Sequence, residues 1–136
     1  MCMGCGHQDE TLRHVLKCRH RMAETKRNDL LKMWRKKGRS KKIPGKVLEV
    51  MKSLLEGEMR RAGGKHDKTW DTQAKEAVRQ QEAIGIHMMA RGYLAKGWRD
   101  WMKEMGVKKV ERCMDQMQRM VWMEWVLPLW TVRNEI

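Results

Sequence analysis

The sequence predicts a mainly helical fold: a short Cys/His-bearing N-terminal element followed by about four to five helices in a loose helical bundle. Three observations predict it. Met is the commonest apolar residue, at 14, beside 7 Trp and no Phe. Met, Leu, Lys, Arg, Gln and Glu lose little rotamer freedom in a helix, whereas the β-branched and aromatic residues that favour strands are scarce. Apolar residues also recur at intervals of three and four, and Gly and Pro fall between the stripes. A core built on Met is loosely specified, because Met fills gaps without locking them.

The elements follow in order. Residues 1–9 read as a loop or hairpin around Cys2 and Cys5, and a short helix runs from Glu10 or Thr11 to Lys17. From Met22 to Lys37, Leu30, Leu31 and Trp34 keep helical spacing, and Gly38 supplies a stop. Pro44 suits the first turn of a helix carrying Val47, Leu48, Met51, Leu54 and Leu55. Gly63-Gly64 and the polar run Lys65-His66-Asp67-Lys68 mark the best boundary in the chain. Residues 71–105 place Ala74, Val78, Ile84, Met88, Tyr93, Trp98, Trp101 and Met105 on one stripe, broken near Gly85 or Gly92. A last helix begins near Val107 and carries Val110, Cys113, Met114, Met117, Val121, Trp125 and Trp130 on one side, and Pro128 is expected to kink or end it. This divides the chain into an N-terminal element (1–20), a basic helical segment (21–64) and a Trp/Met-rich helical segment (65–136).

With 136 residues the chain is one domain long, too short for a polymerase or a kinase. Its 30 Lys and Arg against 17 Asp and Glu give a net charge of +13, which favours a polyanionic partner, either nucleic acid or an anionic membrane surface. The charge is uneven. Residues 1–69 hold 19 basic and 8 acidic side chains (net +11), and residues 70–136 hold 11 and 9 (net +2). No stretch approaches the roughly 20 apolar residues that a membrane span needs. Cys2, Cys5 and His7 sit where a signal peptide would have its apolar run, so the expectation is an intracellular protein, nuclear or cytoplasmic, and not a secreted one.

The strongest local signal is for a metal. Six of the nine Cys and His residues fall in the first 20 positions. Within them, Cys2-x2-Cys5-x8-His14-x3-Cys18 has the form of a structural zinc site, zinc-knuckle-like in its spacing. The first pair fits one tight turn beside Gly4 and Gly6, and the second pair lies four residues apart on one helix face. Four ligands close the coordination sphere and leave no position for a reactive water, so Zn2+ would be structural. His7 or His20 are the alternatives to His14, and reduced thiols without metal are the competing reading. Cys113 stands alone on a helical stripe and reads as a small buried hydrophobe.

The stretch Cys2-x2-Cys5-Gly6, Glu10-Thr11, His14-Val15-Leu16-x-Cys18 resembles the zinc-binding segment downstream of the polymerase domain in non-LTR retrotransposon reverse transcriptases. Gln81-x2-Ile84-Gly85, then Arg91-Gly92 and Trp98, resembles the mid-region of such tails of the algal and diatom type. The ending Leu129-Trp130-x2-Arg133-Asn134 resembles theirs as well. The resemblance implies a severed C-terminal tail that helps to hold RNA or DNA, with Cys2, Cys5, His14 and Cys18 as ligands. It implies no polymerase activity: the only Tyr, Tyr93, is followed by Leu94-Ala95-Lys96 rather than the Asp-Asp pair of the family.

Arg35, Lys36, Lys37, Arg39, Lys41 and Lys42 put six cations in eight residues and are the candidate nucleic-acid-binding set, through phosphate contacts with RNA or DNA. The competing readings are a solvated linker and a nuclear localisation signal. Trp34 is assigned to the core beside Leu30 and Leu31 rather than to base stacking. Trp122, Trp125 and Trp130 are assigned to helix packing rather than to a membrane, since residues 120–132 carry no Lys or Arg. Part of that surface, left exposed, would promote self-association through the Trp-rich C-terminal helix. No catalytic arrangement stands out, and the chain reads as no enzyme. The rival reading is a helical protein–protein interaction module, or an eroded retroelement fragment, with no nucleic-acid role.

Overall fold

The computed structural model describes residues 12–60 and 68–135. Its regular elements are α1 (Leu12–Lys17), α2 (Arg21–Ser40), α3 (Gly45–Arg60), α4 (Thr72–Ile84), α5 (Ile86–Met89), α6 (Lys96–Glu104), α7 (Val110–Val121) and, after a π-helical turn at Trp122–Val126, α8 (Leu127–Glu135). The fold is mainly helical, with no strand among the described residues. The expected turn around Cys2 and Cys5 and the Gly63-Gly64 boundary lie outside those residues.

Helix ends follow local chemistry where a cap is present. Asp71 is extended and its Oδ1 accepts the Ala74 N–H at 2.8 Å, which starts α4. Its other oxygen accepts from Trp101 Nε1 at 3.3 Å, so the cap also ties α4 to α6.

Gly38, expected to end α2, does not. The helix runs through it to Ser40 and Gly38 is buried, because its bare Cα lets Leu48 of α3 lie against it; a Cβ there would overlap the Leu48 side chain. The stop comes two residues after Ser40. Ile43 N–H reaches back to Gly38 O at 3.2 Å and Lys42 N–H to Arg39 O at 3.0 Å, a Schellman closure with Lys42 in the left-handed region at φ +61°. Glycine normally takes that position, as Gly106 does after α6 at φ +84°; a lysine there costs about 1 kcal/mol. Buried Ile43 seals the turn against the core.

The long stripe over residues 71–105 breaks at both glycines rather than one. Two breaks cannot preserve one helical register. Ala74, Val78, Trp98 and Trp101 are buried, Met88 and Met105 are half-buried, and Ile84 and Tyr93 are exposed. α4 and α6 fold against each other where Gly97 meets Ala77. Between them lies Gln81, fully buried. Its Nε2 donates to Tyr93 O at 3.0 Å and to Gly85 O at 3.3 Å. Its Oε1 accepts from Ala95 N–H at 2.9 Å and from Trp98 Nε1 at 3.0 Å. One side chain thus satisfies the backbone of the α5–α6 connection and the indole beneath it.

Pro128, expected to kink or end the last helix, does not end it: the helix continues to Glu135. The π-helical turn just before it resolves the conflict. Leu127 N–H bonds to Trp122 O, five residues back, and Pro128, which has no N–H, falls in the first turn of α8. The extra residue also rotates the stripe. Trp125 stays buried, Leu129 and Val132 take the next inward positions, and Trp130, expected inside, is 40% exposed.

The core draws on all three segments of the chain, from Val15 and Leu16 of α1 to Trp125 and Leu129 near the end. Trp34 lies within it, its Nε1 donating to Leu48 O at 3.1 Å and its ring meeting Trp125 edge-on at 6.4 Å. Among the described residues no helix is long and apolar enough to cross a membrane.

Candidate nucleic-acid interface

Successive helix residues turn by about 100°, so a run of adjacent cations wraps around α2 instead of lining one face. Arg35 points to α3 and pairs with Glu49 at 3.0 Å, and Lys37 pairs with Glu124 of the π-helical turn at 3.4 Å. Such surface pairs are worth about 0–1 kcal/mol. Lys36, Arg39, Lys41 and Lys42 have no carboxylate within 4 Å among the described residues. Ser40 donates to Lys37 O at 2.7 Å and helps to close the last turn of α2, after which Lys41 and Lys42 follow.

The six cations therefore do not form one patch. The fold instead brings Lys41 and Lys42 to Lys108, Lys109 and Arg112, at the start of α7, around a groove of about 490 Å³. Residues 108–112 lie in the half whose net charge is only +2, and no local signal singles them out. Averaging over that half hides three cations clustered within five positions.

Of the candidate zinc ligands, Cys2 and Cys5 lie outside the described residues, as does the alternative His7. His14 sits on α1 and is buried, and Cys18 follows the end of α1 at 1% exposure, packed against Ala23. Nearby, Arg27 is buried and donates from Nη1 to Leu16 O at 3.4 Å. Burial lowers the Arg27 pKa, while attraction to Glu24 and to Cys18 raises it. The spacing places His14 and Cys18 on one helix face, but α1 ends at Lys17, so Cys18 lies just past the helix that carries His14. The alternative His20 is committed elsewhere: it caps α2, its Nδ1 accepting from Met22 N–H at 3.2 Å, which leaves only Nε2 for a metal. Among the described residues no group of three or more His, Cys, Asp or Glu stands close enough to hold an ion.

Cys113 is buried on α7, and burial pushes its thiol pKa up, away from the reactive thiolate. Gln81, Gly85 and Trp98, quoted above for their resemblance to the retroelement tails, meet in the buried hydrogen-bond hub; their contacts are those of a packing element.

Comparison of the chain with protein-family models, with curated proteins and with solved structures gave no match.

Proposed function

We propose that the chain is a non-catalytic nucleic-acid-binding module with a structural zinc site, acting in the nucleus or cytoplasm in the manner of a retroelement reverse-transcriptase tail. The observation that carries the reading is the cation set at the C-terminal end of α2. Lys36, Arg39, Lys41 and Lys42 stand without carboxylate partners among the described residues, in a chain of net charge +13. Arg35 and Lys37 add to the set once phosphate replaces Glu49 and Glu124. The attraction is to the phosphate backbone of RNA or DNA, since Trp34 is buried and offers no stacking face.

Salt tests this reading. The full chain is expected to bind short RNA or single-stranded DNA, with affinity falling steeply between low and physiological salt. Replacing Lys36, Lys37, Arg39, Lys41 and Lys42 with Gln should flatten the slope of log K against log salt by about 3.5, at about 0.7 per phosphate contact on a single strand. Helicity should hardly change, because all five side chains leave the core. Retention of the full slope in the Gln variant would overturn the assignment.

The zinc arm is separate. Cys2, Cys5, His14 and Cys18 would hold about one Zn2+ per chain, whose role there is to position the N-terminal element. Cobalt substitution of the reduced protein is expected to give a tetrahedral, thiolate-rich spectrum, lost in the Cys5→Ser, Cys18→Ser double variant and kept in Cys113→Ser. Stoichiometric zinc in the double variant would remove the site.

One observation favours the rival reading, a helical interaction module. Trp122, Met123, Leu127 and Trp130 are all exposed around the π-helical turn. Contact through that face would survive high salt, whereas phosphate binding would not.

A further inference from the structure

The groove between the end of α2 and the start of α7 has a charge pattern that neither half of the sequence displays alone. It is lined by Lys41 and Lys42 from one side and by Lys108, Lys109 and Arg112 from the other, with a volume of about 490 Å³, in the usual range for ligand sites. Among the described residues no carboxylate lines it. The acids of α7 are engaged with other partners: Glu111 pairs with Arg99 at 2.7 Å and Asp115 with Arg119 at 3.2 Å. None of the five groove cations has an ion pair among the described residues. Five cations at one concavity repel one another, and that cost is relieved when an anion of several charges enters.

Two further features fix the kind of anion. α7 is 12 residues long, and no side chain caps its N-terminus, where Lys109 is the N-cap. The N-cap residue Lys109 itself lines the groove, so the positive end of the helix adds to the local charge. The polar lining is completed by Ser40 and Gln116, with no aromatic among the described lining residues. The site thus offers charge and hydrogen bonds to phosphates and no platform for a base.

We infer that this groove is where the phosphodiester backbone of a single nucleic-acid strand crosses the protein, with Lys108, Lys109 and Arg112 as phosphate-binding residues alongside Lys41 and Lys42. The inference rests on the nucleic-acid reading above and changes it in one respect. The binding surface is composite, so the nearly neutral half of the chain contributes as many as three of its contacts. The Schellman turn at Lys42 and the turn at Gly106, which precedes Val107 and the α7 lysines, hold the two banks in place.

The test uses the full chain and a fluorescein-labelled oligothymidylate strand, with anisotropy followed across a salt series. The variant Lys108→Gln, Lys109→Gln, Arg112→Gln removes only the α7 bank and keeps the whole α2 run. A control, Lys75→Gln, Arg91→Gln, Lys96→Gln, removes equal charge from exposed positions outside the groove. The groove variant is expected to lower the salt slope by about 2 and the control to leave it near that of the parent chain. An unchanged slope in the groove variant, with strong salt-dependent binding by the parent, overturns the composite groove and leaves the nucleic-acid reading intact. Equal losses in both variants overturn it as well, because binding then follows net charge alone. Failure of the parent chain to bind removes the nucleic-acid reading and the groove with it. Tripolyphosphate is the second ligand measured. If it binds the parent chain as tightly as the strand does and is lost in the groove variant, the site takes a small polyphosphate and the strand assignment is wrong.

Discussion

Gln81→Leu is expected to lower the thermal midpoint by about 10 °C or more, the largest effect of any single substitution proposed for this chain. Leucine is one atom shorter than glutamine but fills a comparable volume, so the loss is mainly one of hydrogen bonds rather than of packing. The Ala95 N–H and the Trp98 indole N–H, now at 2.9 and 3.0 Å from Oε1, would be buried with no acceptor. The carbonyls of Gly85 and Tyr93 would lose a donor. Each buried donor left unmade costs about 1–3 kcal/mol, so the pair amounts to about 2–6 kcal/mol in a domain whose whole stability is of order 5–15 kcal/mol. Thermal unfolding followed by circular dichroism measures it. A loss below about 1 kcal/mol would mean that water or relaxation replaces the hub. Gln81→Glu refines the test. The glutamate keeps two oxygens but presents one of them to the Gly85 and Tyr93 carbonyls, so it fits only when protonated. Its folded pKa is then raised above the ordinary value near 4.3, and the stability of this variant should be highest in acid and be lost as pH rises through that folded value.

Gly97→Ala is expected to destabilise by about 1–3 kcal/mol although alanine is the better helix former by about 1 kcal/mol. The added Cβ would lie 2.6 Å from the Ala77 Cα and 3.1 Å from the Ala77 N. Those are backbone atoms of α4 and cannot rotate away, so α4 and α6 must separate. Separation would also stretch the 2.7 Å bond from Gly97 N–H to Gln80 Oε1 and loosen the packing of Trp98 and Trp101 beneath. Gly45→Ala is the matched control. It lies in the first turn of α3 with only Arg35 Nη2 nearby at 3.9 Å, and there the helix propensity of alanine acts unopposed. Opposite signs in the two variants, read from denaturant midpoints at constant m, are the expected result. Equal signs would show that the α4–α6 crossing yields more easily than its backbone contact implies.

Both effects bear on the proposed groove through the same route. The α5–α6 connection and α6 carry the chain to Gly106 and so to Lys108, Lys109 and Arg112. A loosened hub would therefore blur one bank of the groove while leaving the α2 bank in place.

What the sequence by itself determined was what local chemistry can state. Unbranched side chains at helical spacing made the chain helical. Trp34 at the spacing of Leu31 went inward, and Cys113 on its stripe became a buried thiol. Tertiary structure decided the rest. Gly38 reads as a stop signal yet serves as a contact surface, because the reason for it, Leu48, lies ten residues away on another helix. Lys42 closes α2 in a glycine's conformation because Ile43 is drawn into the core. Pro128 is absorbed by a π-helical turn that shifts the register and exposes Trp130, since burial of Trp125 and Leu129 on both sides outweighs one irregular turn. Gln81 stands out in sequence only through the retroelement resemblance; its burial comes from the chain returning at Ala95 and Trp98 to enclose it. The groove follows the same logic. Periodicity and charge counts see neighbours within a turn or two, whereas Lys41 and Lys109 are 68 positions apart in the chain and meet only because the helices pack around one core.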